Sequence, residues 1–165
     1  MELIITNRKG EAFTVLYDDC DHGLVSSKKW SINPSGYAQC AVKKENGKWT
    51  SKKMHRLILG VDDIDIEVDH INHNRRDNRR ENIRKCTNRE NSLNKSPSGG
   101  SKYLGVYTHN LTVKGHRYSY IRACIRIGGK SCFIGTFDTE EDAARHYDKL
   151  AKIHHGEFAN LNFKE

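Results

Sequence analysis

Asp69-His70, Asn82 and Asn91 have the types and spacing for phosphodiester chemistry. A carboxylate holds a hard divalent cation, and an adjacent imidazole with an ordinary pKa of about 6.5 takes a proton from water at neutral pH. Neutral amides at Asn82 and Asn91 would orient the base and complete a metal shell without cancelling the metal's charge. The bland alternatives are plain: an Asp-His pair also occurs on ordinary surfaces, and Asn82, Asn88, Asn91 and Asn94 also suit turns and caps, the better reading for Asn88 and Asn94.

Neighbours along a strand point to opposite faces, so Asp69 and His70 reach one phosphate only if the strand ends or bends there. Asn72 to Arg80 supplies such an end, a long Asn- and Arg-rich turn between a strand at Glu67 to Ile71 and a second around Asn82 to Cys86. Thr87-Asn88-Arg89-Glu90 then reads as a capping box opening a helix through Asn91, Leu93 and Lys95. This places Asn91 on the first helical turn, facing back toward Asp69. Met54 to Leu59 reads as a short packing helix carrying His55, and His73 falls in the turn, with contact to substrate as the lesser alternative for each.

Further upstream, Leu3 to Ile5, Ala12 to Leu16 and Tyr37 to Val42 read as strands, with Arg8-Lys9-Gly10 and Glu45-Asn46-Gly47 as turns. Trp30 and Trp49 are expected in the core or on a hairpin face. Lys95-Ser96-Pro97-Ser98-Gly99-Gly100-Ser101 has the composition of a flexible joint. Beyond it, Tyr118 to Ile127 alternates, with Ile121, Ala123, Ile125 and Ile127 on one face and Tyr118, Tyr120, Arg122, Cys124 and Arg126 on the other. Gly128-Gly129 is the hairpin turn into a strand from Lys130 to Gly135. A helix capped at Thr139 runs to about His155 and stops at Gly156; its apolar residues can cover the sheet.

The 165 residues carry a net charge of +7, concentrated in blocks. Seven bases but only Asp77 and Glu81 lie between Arg75 and Arg89, and Ser98 to Phe137 has six bases and no acid. The final stretch reverses to four bases against seven acids, on the helix that should lie away from the basic strands. Such blocks point to a polyanion, with solvated surface as the alternative. No apolar run approaches the ~20 residues of a membrane helix, and Asn7-Arg8-Lys9 interrupts the early apolar stretch before a secretory signal can form. Five cysteines without a CxxC pair read as reduced thiols in a cytosol-like compartment and argue against structural zinc.

The stretch MHRLI, then VDHINHNRRDNRRENIRKCTNRENSLN, resembles the ββα-metal unit of HNH homing endonucleases, especially zinc-free phage-type enzymes. The match covers roughly residues 54–95, more weakly the Lys29-Trp30 region. The resemblance implies His70 as general base, Asp69 and Asn91 as ligands of Mg²⁺ or Mn²⁺, and Asn82 as the residue that positions the base. Asn91 takes the last motif position, as in the Asn-ending variant. The implied products are a 5′-phosphate and a 3′-hydroxyl.

SKYLGVYTHN, then YIRACIRIGGKSCFIGTFDTEEDAARHYDKLAKIHHGEFANLNF, resembles the AP-two or ethylene-responsive-factor-like DNA-binding domain over about residues 101–163. That family lays a three-stranded antiparallel sheet in the major groove. Tyr107, His109, Arg122, Cys124, Arg126, Lys130, Ser131 and Phe133 are carried over as DNA-facing, with Arg122 and Arg126 the strongest contacts. The plant pattern has arginine at Leu104, Tyr107 and His109, and tryptophan near Ile121 and Phe133, so its base preference does not transfer. Sheet packing is the alternative for Tyr118, Tyr120 and Phe133.

These readings combine into an α+β chain. Residues 1–95 form a nuclease domain whose ββα unit spans about 66–95, 96–101 a linker, and 102–165 a DNA-binding domain of three strands on one helix. The expected function is site-specific, homing-type cleavage of double-stranded DNA, with Arg75, Arg76, Arg79 and Arg80 gripping phosphates. A monomer on DNA is favoured over a dimer, in the cytoplasm, of a bacterial host if phage-encoded. The alternative is a non-catalytic DNA-binding regulator with a decayed nuclease unit; an RNA-binding role lacks a recognisable RNA module.

Overall fold

In the computed structural model, which describes residues 1–97 and 100–163, the chain divides into two compact units, Met1–Asn91 and Ser92–Glu165. The division falls between Asn91 and Ser92 rather than after Lys95; Ser98 and Gly99 of the expected joint lie outside the described residues. No helix among the described residues is long and apolar enough to cross a membrane.

The first unit is mixed α/β, built from small antiparallel sheets. Strands β1 (Glu2–Thr6) and β2 (Ala12–Leu16) form a hairpin that contributes Ile5 and Val15 to the core. A 3-10 turn at Asp19–Asp21 and helix α1 (His22–Ser26), neither expected, bring in Val25. β3 (Trp30–Ile32), β4 (Ala38–Lys43) and β5 (Trp49–Lys53) make a three-stranded sheet, and α2 (Met54–Ile58) follows directly. Trp30 is half-buried and donates to the Val25 carbonyl at 2.8 Å. Trp49 stays 69% exposed, a hairpin-face residue rather than a core one, because it opens β5 beside the β4-β5 turn, opposite Lys43.

β6 (Glu67–His70) and β7 (Ile83–Cys86) pair antiparallel, with Val68 and Ile83 joining the core. α3 (Asn88–Asn91) packs against both strands. Its capping box forms: Glu90 N donates to Thr87 Oγ1 at 3.2 Å, and Thr87 N to Glu90 Oε2 at 2.7 Å. The helix ends at Asn91 instead of continuing to Lys95. The long turn between β6 and β7 is sewn to β2: Leu16 N donates to the Arg76 carbonyl and Asn78 N to the Leu16 carbonyl, each at 2.8 Å.

In the second unit, β8 (Val106–Val113), β9 (His116–Ile127) and β10 (Lys130–Phe137) form an antiparallel sheet in the order β10-β9-β8. Gly128 and Gly129 both take positive φ, as a two-residue hairpin turn with the sheet's twist requires. Helix α4 (Glu140–His155) packs Ala143, Ala144, Tyr147 and Ala151 against Val106, Ala123 and Ile125. Thr139 caps it by accepting from Asp142 N at 3.1 Å.

Candidate active site and nucleic-acid interface

β6 ends at His70, where the chain turns, as the Asp-His geometry requires. Asp69 and His70 are only 7% and 5% exposed, so neither is an ordinary surface residue. Register sets Arg84 opposite Asp69, and its guanidinium donates to Asp69 Oδ2 from Nε at 3.2 Å and Nη2 at 2.9 Å. Arg84 had been legible only as part of a basic run; an opposite charge across two strands is the signal that marks it.

His70 Nε2 lies 3.4 Å from Asn78 Oδ1, and its ring meets the His55 ring edge-on at 4.8 Å. Burial pushes the His70 imidazole below its ordinary 6.5, opposed by Asn78 and by the Asp69 and Asp77 carboxylates. His55, expected merely on a packing helix, is 3% exposed and forms one wall of the site. Its Nδ1 has no hydrogen-bond partner, and burial, reinforced by His70, Lys53 and Arg56, pushes its pKa down to about 3. Its imidazole is therefore neutral at physiological pH. His73 sits in the turn with φ +62°.

Asn82 braces that turn at both ends. Its Nδ2 donates to the Asp77 carbonyl at 2.7 Å, and its Oδ1 accepts from Asn72 N at 2.9 Å. Asn91 is half-buried at the last position of α3, not on a first turn of a longer helix, with its backbone N–H on the Thr87 carbonyl.

The four turn arginines divide. Arg79 donates to both carboxylate oxygens of Asp77 at 2.8 Å and pairs with Glu81; Arg80 clasps buried Asp21 and the Ile58 carbonyl. Each faces a carboxylate that burial leaves in need of a partner, so both act as struts of the turn while their side chains stay 40% and 50% exposed. Arg75 and Arg76 are exposed and lie over the rings of Tyr37 and Phe13.

In the second unit, register places Tyr107 opposite Arg122, His109 opposite Tyr120, Phe133 opposite Cys124 and Ser131 opposite Arg126. Cross-strand partners share a face, so these residues line the side of the sheet away from α4. Phe133 is 61% exposed there, and the Arg122 guanidinium lies 5.5 Å from its ring with Nε buried and unpartnered. Lys130, expected in the same set, pairs with Ile127 beside the Gly128-Gly129 turn, and the register puts it on the opposite face.

A family model for HNH endonucleases matches residues 39–93, from within β4 to just past α3. An uncharacterized HNH endonuclease of Acanthamoeba polyphaga mimivirus is 35% identical over 144 residues, covering 84% of this chain and 69% of that protein. The chain belongs to the HNH endonuclease family. No solved structure matches it.

HNH nucleases generally use divalent metal ions, and the oxygen donors here suit one. Asp69 offers a buried carboxylate, and Asn91 offers an amide on the helix packed against the same strand. A hard cation such as Mg²⁺ accepts one or two protein oxygens and fills its shell from water and phosphate. Among the described residues no cluster of three or more His, Cys, Asp or Glu is placed to hold a metal. Cys86, beside the site, has its thiol pushed up to about 11, first by burial and then by the Asp69 carboxylate.

Proposed function

We propose that this protein is a site-specific DNA endonuclease of the homing type. The observation that carries the reading is the buried Asp69-His70 end of β6, its turn braced by Asn82 and its imidazole walled by a neutral His55. Asp69 and Asn91 would hold Mg²⁺ or Mn²⁺ in a ββα-metal arrangement. When bound, that ion supplies polarisation of the scissile phosphate and stabilisation of the departing 3′-oxygen. With Nε2–H donated to Asn78 Oδ1, 3.4 Å away, His70 would carry its lone pair on Nδ1 and would take the proton of the attacking water there. The new bond joins water oxygen to phosphorus as the bond to O3′ breaks, leaving a 5′-phosphate and a 3′-hydroxyl. Asn82 acts by keeping the turn, and hence His70, in place.

The second unit would lay its β8-β9-β10 face in the major groove of double-stranded DNA in the manner of the AP-two or ethylene-responsive-factor-like domain. Arg122 and Arg126 would contact guanine or phosphate, where a guanidinium bonds twice, with Tyr107, His109 and Phe133 beside them. We take the unit at work to be a monomer on DNA in the cytoplasm. The experiment is cleavage of supercoiled plasmid carrying candidate sites. Cutting is expected with Mg²⁺, none with EDTA, and binding without cutting for His70→Ala. A native protein that binds such DNA but never cuts it would be the regulator instead.

A further inference from the structure

Besides His55, a second side chain reaches the site from outside the ββα unit: Tyr37, set by the turn before β4. Tyr37 N donates to Asn33 Oδ1 at 3.0 Å, and Gly36 turns the chain with φ +85°. The Tyr37 ring lies 5.2 Å from the His55 ring and 5.8 Å from that of His70. Two cations lie over it: Lys53 Nζ 4.5 Å from the centroid and the Arg75 guanidinium carbon at 4.9 Å. Arg75 is fixed further by donating to the Ser35 carbonyl at 2.7 Å. Neither cation forms a salt bridge with a carboxylate among the described residues, although Arg79, Arg80 and Arg84 each do.

Two like charges on one ring repel, and an aromatic face offsets only part of that cost. The arrangement lacks a negative charge, and a DNA phosphate is the anion at hand.

We propose that Lys53 and Arg75, held on Tyr37, form a phosphate subsite for the DNA strand beside the bond to be cut. This rests on the nuclease reading of the His70 centre. Lys53 is then a substrate-contacting residue supplied by the upstream sheet, and Tyr37 is a positioning residue acting through both cations.

The test uses the full chain with Lys53→Met, Lys53→Arg, Arg75→Gln, Tyr37→Phe and Tyr37→Leu. Binding to a short duplex is titrated against salt in EDTA, and plasmid cleavage is followed with Mg²⁺. Lys53→Met and Arg75→Gln should each lower the slope of log affinity against log salt by about 0.9, the loss of one phosphate contact. Each should lower kcat/KM by roughly tenfold or more. Lys53→Arg should keep the native slope and most of the cleavage. Tyr37→Phe should behave as native and Tyr37→Leu like Lys53→Met. A native slope in both Lys53→Met and Arg75→Gln overturns the subsite, as does a Lys53→Arg protein as impaired as Lys53→Met. If the native chain cuts nothing, the nuclease reading fails, while the salt slopes still decide whether these cations meet phosphate.

Discussion

Asp77 shows how one side chain supports the site without joining it. It is 1% exposed and accepts from Asn72 Nδ2 at 2.9 Å and twice from the Arg79 guanidinium, while its carbonyl receives Asn82. The Arg79 guanidinium, opposed by burial and helped by Asn72, holds its carboxyl below the ordinary 3.8. The stabilisation is therefore complete above pH 3.8 and is lost as pH falls through the lower native value. Asp77→Asn should lower the unfolding free energy at pH 7 by about 2 kcal/mol, less than for a fully buried pair because Arg79 is partly exposed. Urea titrations of native and variant protein should converge as the pH is taken below that value. The identities of Asp69, His70 and Asn82 were readable as chemistry in the sequence, but the working partners Arg84, Asn78, His55 and Tyr37 were not. Each of those meets the site across a strand or from another element, and spacing along one chain does not encode register or tertiary approach.

At the scale of elements, what could be read followed periodicity and turn chemistry. The alternation along β9, the Gly128-Gly129 turn and the Thr139 cap all rest on local backbone preferences, and all three are found. The bulge between Phe133 and Gly135, the early end of α3 and the short α1 depend on packing and left no comparable mark. One packing demand is severe. Gly105, at φ +72°, enters β8 where an added Cβ would stand 2.2 Å from Tyr147 Cδ2 and 2.6 Å from the Cys124 carbonyl oxygen. The Gly105 carbonyl also accepts Cys124 N at 2.8 Å, so the backbone cannot easily retreat. Gly105→Ala combines a left-handed backbone with overpacking against α4 and should destabilise the second unit by about 2 to 4 kcal/mol. Chemical denaturation followed by circular dichroism would register this; an unchanged midpoint would mean that α4 does not seat as described.

For the molecule as a whole, the +7 charge separates into cations already spent on internal carboxylates and cations still open to a polyanion. In salt titrations of the full chain on duplex DNA, Arg122→Ala and Arg126→Ala should each reduce the slope by about 0.9, whereas Lys130→Ala, on the α4 face, should leave it unchanged. Equal effects from all three would deny the sheet a DNA-facing side. The stitching of Leu16 to Arg76 and Asn78 carries a different consequence, one of timing. The turn that orients His70 is completed by a strand far away in the chain, a non-local contact expected to close after the local hairpins have formed. During synthesis the proposed cutting centre cannot assemble until both partners have emerged, and weakening the β1-β2 hairpin should delay the appearance of activity in refolding.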